Sequence, residues 1–168
     1  MLSPNILERL RENLPEKGCV IDVGCGDGSL LREISKPQYS LCGVDFLRTE
    51  EFSNGIKFFR GSAENLPFSK SFADVVIMQC VFSLCDPVQS IREISRVLKE
   101  NGSLLVADLF SDDDSGFFPD NSLIRNIYLR GTLEDFFTPT FSITKFFDET
   151  DALKKLRVRY GLWVLKKN

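Results

Sequence analysis

The stretch Val20-Ile21-Asp22-Val23-Gly24-Cys25-Gly26-Asp27-Gly28-Ser29 decides the fold. An apolar, β-branched run ends beside an acid and passes into a loop with glycine at every second position. Glycine has no side chain, so such a loop lets a backbone approach a ligand closely. A helix-like segment, residues 29–34, follows at once. Strand, glycine loop and helix start together build the usual site for a nucleotide-type cofactor.

Outward from this loop, the pattern alternates. Apolar runs at 18–23, 40–44, 56–60, 73–78 and 103–109 read as strands. Between them, residues 87–99 read as a helix: Val88, Ile91, Ile94, Val97 and Leu98 recur on one face, Arg92, Glu93 and Arg96 lie opposite, and Asn101-Gly102 stops it. Residues 4–13 read as a short leading helix with Ser3 as N-cap and Pro4 at its first turn. The segment 46–55 is short and polar, and Asp112-Asp113-Asp114 reads as a solvated turn. Residues 123–130 read as helical, 140–147 and 158–165 as two final strands, and 151–156 as a short helix between them. Strands apolar on both faces, alternating with helices, imply an α/β fold with a mostly parallel sheet covered on two sides.

The bulk numbers narrow the class. A chain of 168 residues is long enough for one domain with a substantial core, so residues 1–168 are expected to form a single domain. With 43% hydrophobic and 27% charged residues it has an ordinary globular composition. A formal net charge of -3 and no basic stripe argue against nucleic acid as partner. No secretory h-region and no apolar run of membrane-spanning length stand out, which points to a cytoplasmic protein without membrane insertion. The five cysteines lack CxxC spacing and histidine is absent, so no metal site is expected.

Asp45 ends the second strand, the place of a ribose-binding carboxylate in NAD sites and S-adenosylmethionine (SAM) sites alike. The glycine spacing separates the two. A dinucleotide fingerprint would need a third glycine where Ser29 stands, whereas the chain reads D-x-G-x-G-x-G from Asp22 to Gly28. Acids at Asp22 and Asp27 suit a cationic ligand better than a pyrophosphate.

The blocks V-I-D-V-G-C-G-D-G, G-V-D, G-S-A-E-N-L-P-F, F-A-D-V-V-I-M and I-R-E-I-S-R-V-L-K-E-N-G-S-L-L-V-A-D follow one another in this order. In them the chain resembles class I SAM-dependent methyltransferases of the small-molecule type, similar to the ubiquinone/menaquinone-biosynthesis methyltransferases. The resemblance covers about residues 18–110 and the last strand. It implies a Rossmann-like, seven-stranded, mostly parallel sheet with helices on both faces and an antiparallel C-terminal strand. It also implies SAM as cofactor, S-adenosylhomocysteine as product, and a small-molecule methyl acceptor, with the protein a monomer or homodimer.

Carried over by resemblance, Gly24, Cys25 and Gly26 form the loop at the methionine end of SAM, and Asp22 supports that loop and the ammonium. Asp45 takes the ribose hydroxyls, with Phe46 beside the adenine. Ser62, Ala63 and Glu64 border the adenine, and Met78, Gln79 and Cys80 face the methionine moiety and the methyl group. Ser62 stands where the family often has an acid, and Ser83-Leu84 where many members carry histidine. The segment between the second and third strands is shorter than usual.

Methyl transfer from a sulfonium is an in-line displacement, so alignment and exclusion of water dominate. Where an acceptor must lose a proton, the candidate bases are Asp108, Asp86, Tyr128 and a thiolate at Cys80 or Cys85. Cys25, Cys80 and Cys85 all fall on loops at the carboxyl edge; they fit a soft acceptor such as arsenite, or simply small half-buried residues. The late phenylalanines Phe110, Phe117, Phe118, Phe136, Phe137, Phe141, Phe146 and Phe147 fit an apolar acceptor lid, a sheet core or a dimer surface alike. Two readings of the whole remain: a methyltransferase, and a non-catalytic SAM-binding sensor or partner subunit on the same fold. The cofactor reading is checked by thermal shift: SAM and S-adenosylhomocysteine raise Tm with concentration, and NAD leaves it unchanged.

Overall fold

The computed structural model describes residues 4–46, 55–111, 127–148 and 159–168. The helices are α1 (Pro4–Glu12), α2 (Ser29–Ile34), α3 (Pro87–Val97) and α4 (Arg130–Phe137), and the strands are β1 (Gly18–Val23), β2 (Tyr39–Asp45), β3 (Lys57–Arg60), β4 (Ala73–Gln79), β5 (Leu98–Ser111), β6 (Tyr128–Leu129), β7 (Phe141–Asp148) and β8 (Arg159–Lys167). A 3-10 turn, Phe82–Leu84, separates β4 from α3.

All the strands join one sheet in the order β3-β2-β1-β4-β5-β8-β7, with the two-residue β6 added beside the end of β5. The pairings β3-β2, β2-β1, β1-β4 and β4-β5 are parallel, and β8 runs antiparallel to both β5 and β7. This is the expected seven-stranded path with its reversed C-terminal strand.

Strand alternation divides the core in two. Ile21, Val23, Val76, Met78, Leu104 and Val106 point to one face, where Ile91, Ile94 and Val97 of α3 and Leu133 and Phe137 of α4 cover them. Val20, Val75, Ile77, Leu105 and Ala107 point to the other, under Ile6 and Leu10 of α1 and Leu30, Leu31 and Ile34 of α2. Each such side chain contributes about 1.5–3 kcal/mol on leaving water. The strands buried on both faces read as continuous apolar runs for this reason.

Local chemistry sets the helix starts. Asp86 caps α3: its carboxylate accepts the Gln89 amide at 3.0 Å, and Pro87 fills the first position. Asp27 accepts the Ser29 amide at 3.0 Å as α2 begins.

Two expectations need correction. The helix predicted over 87–99 ends at Val97, and Leu98 already pairs with Ala73 in the sheet. The carbonyls of its last turn are taken by the Ser71 and Phe72 amides, bonded to Arg96 and Val97 at 2.9 and 2.7 Å. Asn101, at φ 61°, and Gly102 turn the chain within β5 instead. Of the helix predicted over 123–130, only Arg130 is helical among the described residues, since Tyr128 and Leu129 pair with Phe110 and Ser111. The helix begins at Arg130, held by an Arg130–Glu134 ion pair at 2.8 Å, with Leu133 and Phe137 buried one turn apart. The readings at Ser3, residues 47–54, Asp112-Asp113-Asp114, Phe117, Phe118 and residues 151–156 lie outside the described residues. No helix among the described residues is long and apolar enough to cross a membrane.

The late phenylalanines of the described residues lie in the core or, for Phe136, Phe146 and Phe147, pack half-buried against it. Phe110, Phe137 and Phe141 are fully buried, and Phe110, Phe137 and Phe146 surround Trp163 with ring centroids 4.8–6.3 Å apart. Gly161 makes room for this cluster: a Cβ there would sit 2.7 Å from a Phe146 ring carbon and 3.0 Å from one of Phe110. Gly161→Ala is therefore expected to lower unfolding free energy by roughly 1–3 kcal/mol, read from the urea midpoint at unchanged slope.

Candidate functional site

The parallel strands β1, β2 and β4 end side by side, and order reverses between β1 and its neighbours: β2 follows on one side, β4 on the other. Such a switch point opens a crevice at the carboxyl edge. A cavity of about 570 Å³ lies there. Its walls are the ends of β1 (Val23, Gly24) and β2 (Asp45, Phe46), the loop after β3 (Gly61, Ser62, Ala63, Glu64) and the segment after β4 (Gln79, Cys80, Val81, Leu84, Cys85).

The glycine loop is bound to the end of β2. The Gly24 and Cys25 amides both donate to the Val44 carbonyl, at 2.7 and 3.1 Å, and the Gly26 amide donates to the Asp45 carboxylate at 2.9 Å. Gly24 takes φ 74°, and a Cβ there would lie 2.2 Å from a Val81 methyl. Its missing side chain thus makes room for the protein's own wall. At Gly26, φ 51°, a Cβ would meet nothing within 4 Å. That residue is exposed at the rim and reaches the cavity through the bond to Asp45.

The other walls are equally tied. The Asn65 amide donates to the Ser62 carbonyl at 3.1 Å, closing the loop after β3. Glu64 accepts the Asp86 amide at 2.9 Å, so this loop is fastened to the start of α3. Cys80 sits in the left-handed region at φ 54°, rare for a non-glycine residue, with its amide donating to the Ala107 carbonyl at 2.8 Å. Its thiol donates to the Tyr160 hydroxyl at 3.7 Å. Phe46 is 63% exposed at the mouth, with the Arg60 guanidinium 5.9 Å from its ring centre. A smaller depression of about 300 Å³ continues past Phe46, Gly61 and Ser62 toward Arg60 and Asn65.

Of the residues expected at a cofactor, Gly24, Asp45, Phe46, Ser62, Ala63, Glu64, Gln79 and Cys80 line the cavity. Asp22, Cys25, Gly26 and Met78 do not. Met78 is completely buried against the α3 face, because strand alternation turns it away from the edge. Cys25 is buried with α1 and α2. The expected three-cysteine edge cluster is therefore broken up. Val23, Gly61, Val81 and Leu84 are wall residues that motif reading passed over. The rule that ligands gather beyond strand carboxyl ends would have pointed to them.

The candidate bases are largely committed elsewhere. Asp108 is buried and accepts amides from Phe82 at 2.8 Å, Ser83 at 3.4 Å and Leu109 at 2.8 Å, which holds the 3-10 turn in place. Burial pushes its carboxyl up to about 6, against the pull of those amides. Asp86 is the cap of α3, and Tyr128 packs half-buried against Phe82 and Phe136. Burial, then the Asp108 charge, pushes the Cys80 thiol up, and burial pushes Cys85 up to about 11. Both shifts favour the thiol over the thiolate.

A family profile described as a methyltransferase domain matches residues 21–106, just over half of the chain. The malonyl-[acyl-carrier protein] O-methyltransferase of Herminiimonas arsenicoxydans is 33% identical over 113 residues, covering 63% of this chain and 44% of that protein. The demethylmenaquinone methyltransferase of Thermotoga maritima is 28% identical over 132 residues, covering 74% of this chain and 56% of that one. The chain thus spans about half the length of these curated relatives. The crystal structure of the Burkholderia thailandensis 1,6-didemethyltoxoflavin-N1-methyltransferase, bound to its named acceptor and S-adenosylhomocysteine, superposes with a TM-score of 0.79 at 15% identity, covering 98% of this chain and 77% of that one.

Asp22 supplies a test of the site's electrostatics. It is 2% exposed, and burial, with the Asp45 charge adding to it, pushes its carboxyl up to about 8. An unfolded aspartate titrates near about 3.9. Between those values the folded protein holds a proton the unfolded chain has released, so this contribution is complete below pH about 4 and is lost as pH rises through about 8. Asp22→Asn is expected to flatten unfolding free energy against pH over that window by up to about 1.4 kcal/mol per unit. Parallel curves for the two proteins would contradict it.

Proposed function

The chain belongs to the methyltransferase domain family, and from that premise we propose that it transfers a methyl group from SAM to a small, uncharged, apolar or aromatic acceptor. One observation carries the reading: the Asp45 carboxylate, bound to the Gly26 amide, stands at the wall of a cavity whose lining holds two carboxylates and, among the described residues, no lysine or arginine.

That charge pattern fits the donor. SAM carries an ammonium, a carboxylate and a sulfonium, a net positive charge, and no phosphate. Asp45 and Glu64 line the cavity, and Asp22 lies buried behind it with its charge coupled to Asp45. A cation drawn in beside them lowers the cost of ionising Asp22. A volume of about 570 Å³ lies within the usual range of small-ligand pockets. When bound, SAM supplies an electrophilic methyl group on sulfur.

The chain's own residues do the positioning. Asp45, already oriented by Gly26, is set to accept from the paired ribose hydroxyls, and Phe46 offers an exposed ring for the adenine. Ser62, Ala63 and Glu64 would border the base. Gln79 and Cys80 stand on the far wall, with the Cys80 backbone fixed in its left-handed turn. Val81 and Leu84 give this part of the cavity an apolar surface, which would help to keep water from the reacting groups. An acceptor bearing a carboxylate or phosphate would meet Asp45 and Glu64 with no lining cation to offset them.

Asp45→Ala tests the reading. It is expected to weaken S-adenosylhomocysteine binding by about 1.5–3 kcal/mol in calorimetry while the fold persists by circular dichroism. Gly26→Val, whose side chain meets no protein atom at its Cβ but strains the left-handed backbone at φ 51°, is expected to weaken binding by disturbing the loop's bond to Asp45. In a turnover panel, neutral phenols and quinols are expected to outpace their carboxylated counterparts. Unchanged affinity in both variants would move the donor elsewhere.

A further inference from the structure

The polar side of α3 carries a charged pair that does not line the cavity. Glu93 and Arg96 lie one turn apart, and their side chains meet fork to fork. Nε of Arg96 donates to Oε1 of Glu93 and Nη2 to Oε2, both at 2.8 Å. The rest of the guanidinium reaches across to the chain after β3. Nη1 donates to the Phe68 carbonyl at 2.7 Å, and Nη2 to the Leu66 carbonyl at 3.0 Å. Oε2 of Glu93 accepts the Leu66 amide at 2.9 Å. Both backbone groups of Leu66, which lies outside helix and strand, are thus satisfied by side chains from one turn of α3.

From this geometry we infer that Glu93 and Arg96 are positioning residues for base selectivity: they hold the turn over residues 62–64 at the spacing from Asp45 that admits adenine and disfavours a base with oxygen in place of its amine. The inference rests on the donor reading proposed above, in which that turn borders the base.

The turn is pinned on both sides. Before it, the Gly61 amide donates to the Asp45 carbonyl at 3.2 Å. A Cβ on Gly61 would lie 3.1 Å from the Pro67 ring and 3.2 Å from a Val44 methyl, so the loop packs closely on β2 there. After it, Leu66 is gripped by the α3 pair. Asp45 and the base wall are therefore one connected unit whose far end Glu93 and Arg96 fix. Within the cavity the Ser62 hydroxyl and the Glu64 carboxylate offer acceptors. The amine of adenine donates to such groups, whereas the carbonyl of hypoxanthine would face them with a lone pair. Hydrogen bonds weaken steeply with misplacement, so this discrimination depends on where the turn stands. The hydrogen bonds from Arg96 hold the Glu93 carboxyl below its ordinary value, which keeps the pair charged at neutral pH. Lysine does not replace Arg96, because a point charge lacks the fork that serves a carboxylate and two carbonyls at once.

The experiment compares, by calorimetry on the full chain, the affinities for S-adenosylhomocysteine and for its inosine counterpart, S-inosylhomocysteine. The unaltered protein is expected to prefer the adenine ligand by about tenfold, the worth of one hydrogen bond. Arg96→Lys and Glu93→Gln are expected to cut that preference several-fold. Loss of stability alone weakens both ligands equally and leaves the preference intact, as does Asp45→Ala, which removes a ribose contact. Glu93→Gln keeps its shape and its acceptor for the Leu66 amide, so it carries the test if Arg96→Lys fails to fold by circular dichroism. Equal binding of the two ligands by the unaltered protein, or an unchanged preference in the folded variants, would overturn the inference and leave the donor reading standing. Binding of neither ligand by the unaltered protein, or affinities unmoved by Asp45→Ala, would overturn the donor reading and the inference with it.

Discussion

The bond from the Gly26 amide to the Asp45 carboxylate joins the two strand ends on which the site depends. It would be weak without its neighbours. Gly24 and Cys25 share the Val44 carbonyl, so three consecutive amides of the loop face the end of β2. A loop turned this way needs left-handed backbone at Gly24 and Gly26, and it needs the acid immediately after Val44. The glycines and Asp45 are thus one device read at two places in the sequence. Asp45 is oriented before any ligand arrives, and preorganised acceptors lose less entropy on binding.

Much of this was legible in the amino-acid sequence. The β1 run, the glycine spacing and Asp45 each follow from a local rule, and strands buried on both faces announce themselves as continuous apolar runs. The ends of elements were less legible. Leu98 belongs to the helical stripe by spacing, yet the Ser71 and Phe72 amides claim the last carbonyls of α3 and release it to the sheet. Tyr128 and Leu129 form a strand because the end of β5 offers them partners, a fact with no local signal.

The site divides along the same line. Of the strand-end loop residues singled out by motif order, Gly24, Asp45, Phe46, Ser62, Ala63, Glu64, Gln79 and Cys80 line the cavity, and Cys25 and Gly26 do not. Met78 does not either, because orientation at a strand end alternates with each residue and one position decides between wall and core. Asp108 shows the opposite case. An acid at the carboxyl end of a strand invites a catalytic reading, and here its oxygens hold the backbone of the turn that carries Phe82 and Ser83. Phe110, Phe137 and Phe146 fill the sheet's far end around Trp163, so the cavity's apolar character comes from Val81, Leu84 and Phe46 instead.

The contact between Gly24 and Val81 makes the two positions share one volume. The cavity's width at that wall is set by a single branched side chain resting on bare backbone. Trimming it to alanine would widen the chamber while leaving the glycine turn, the β2 anchor and both carboxylates where they stand. Position 81 is therefore the natural handle for changing the chamber's width, and position 24 is the one that no such redesign can spare.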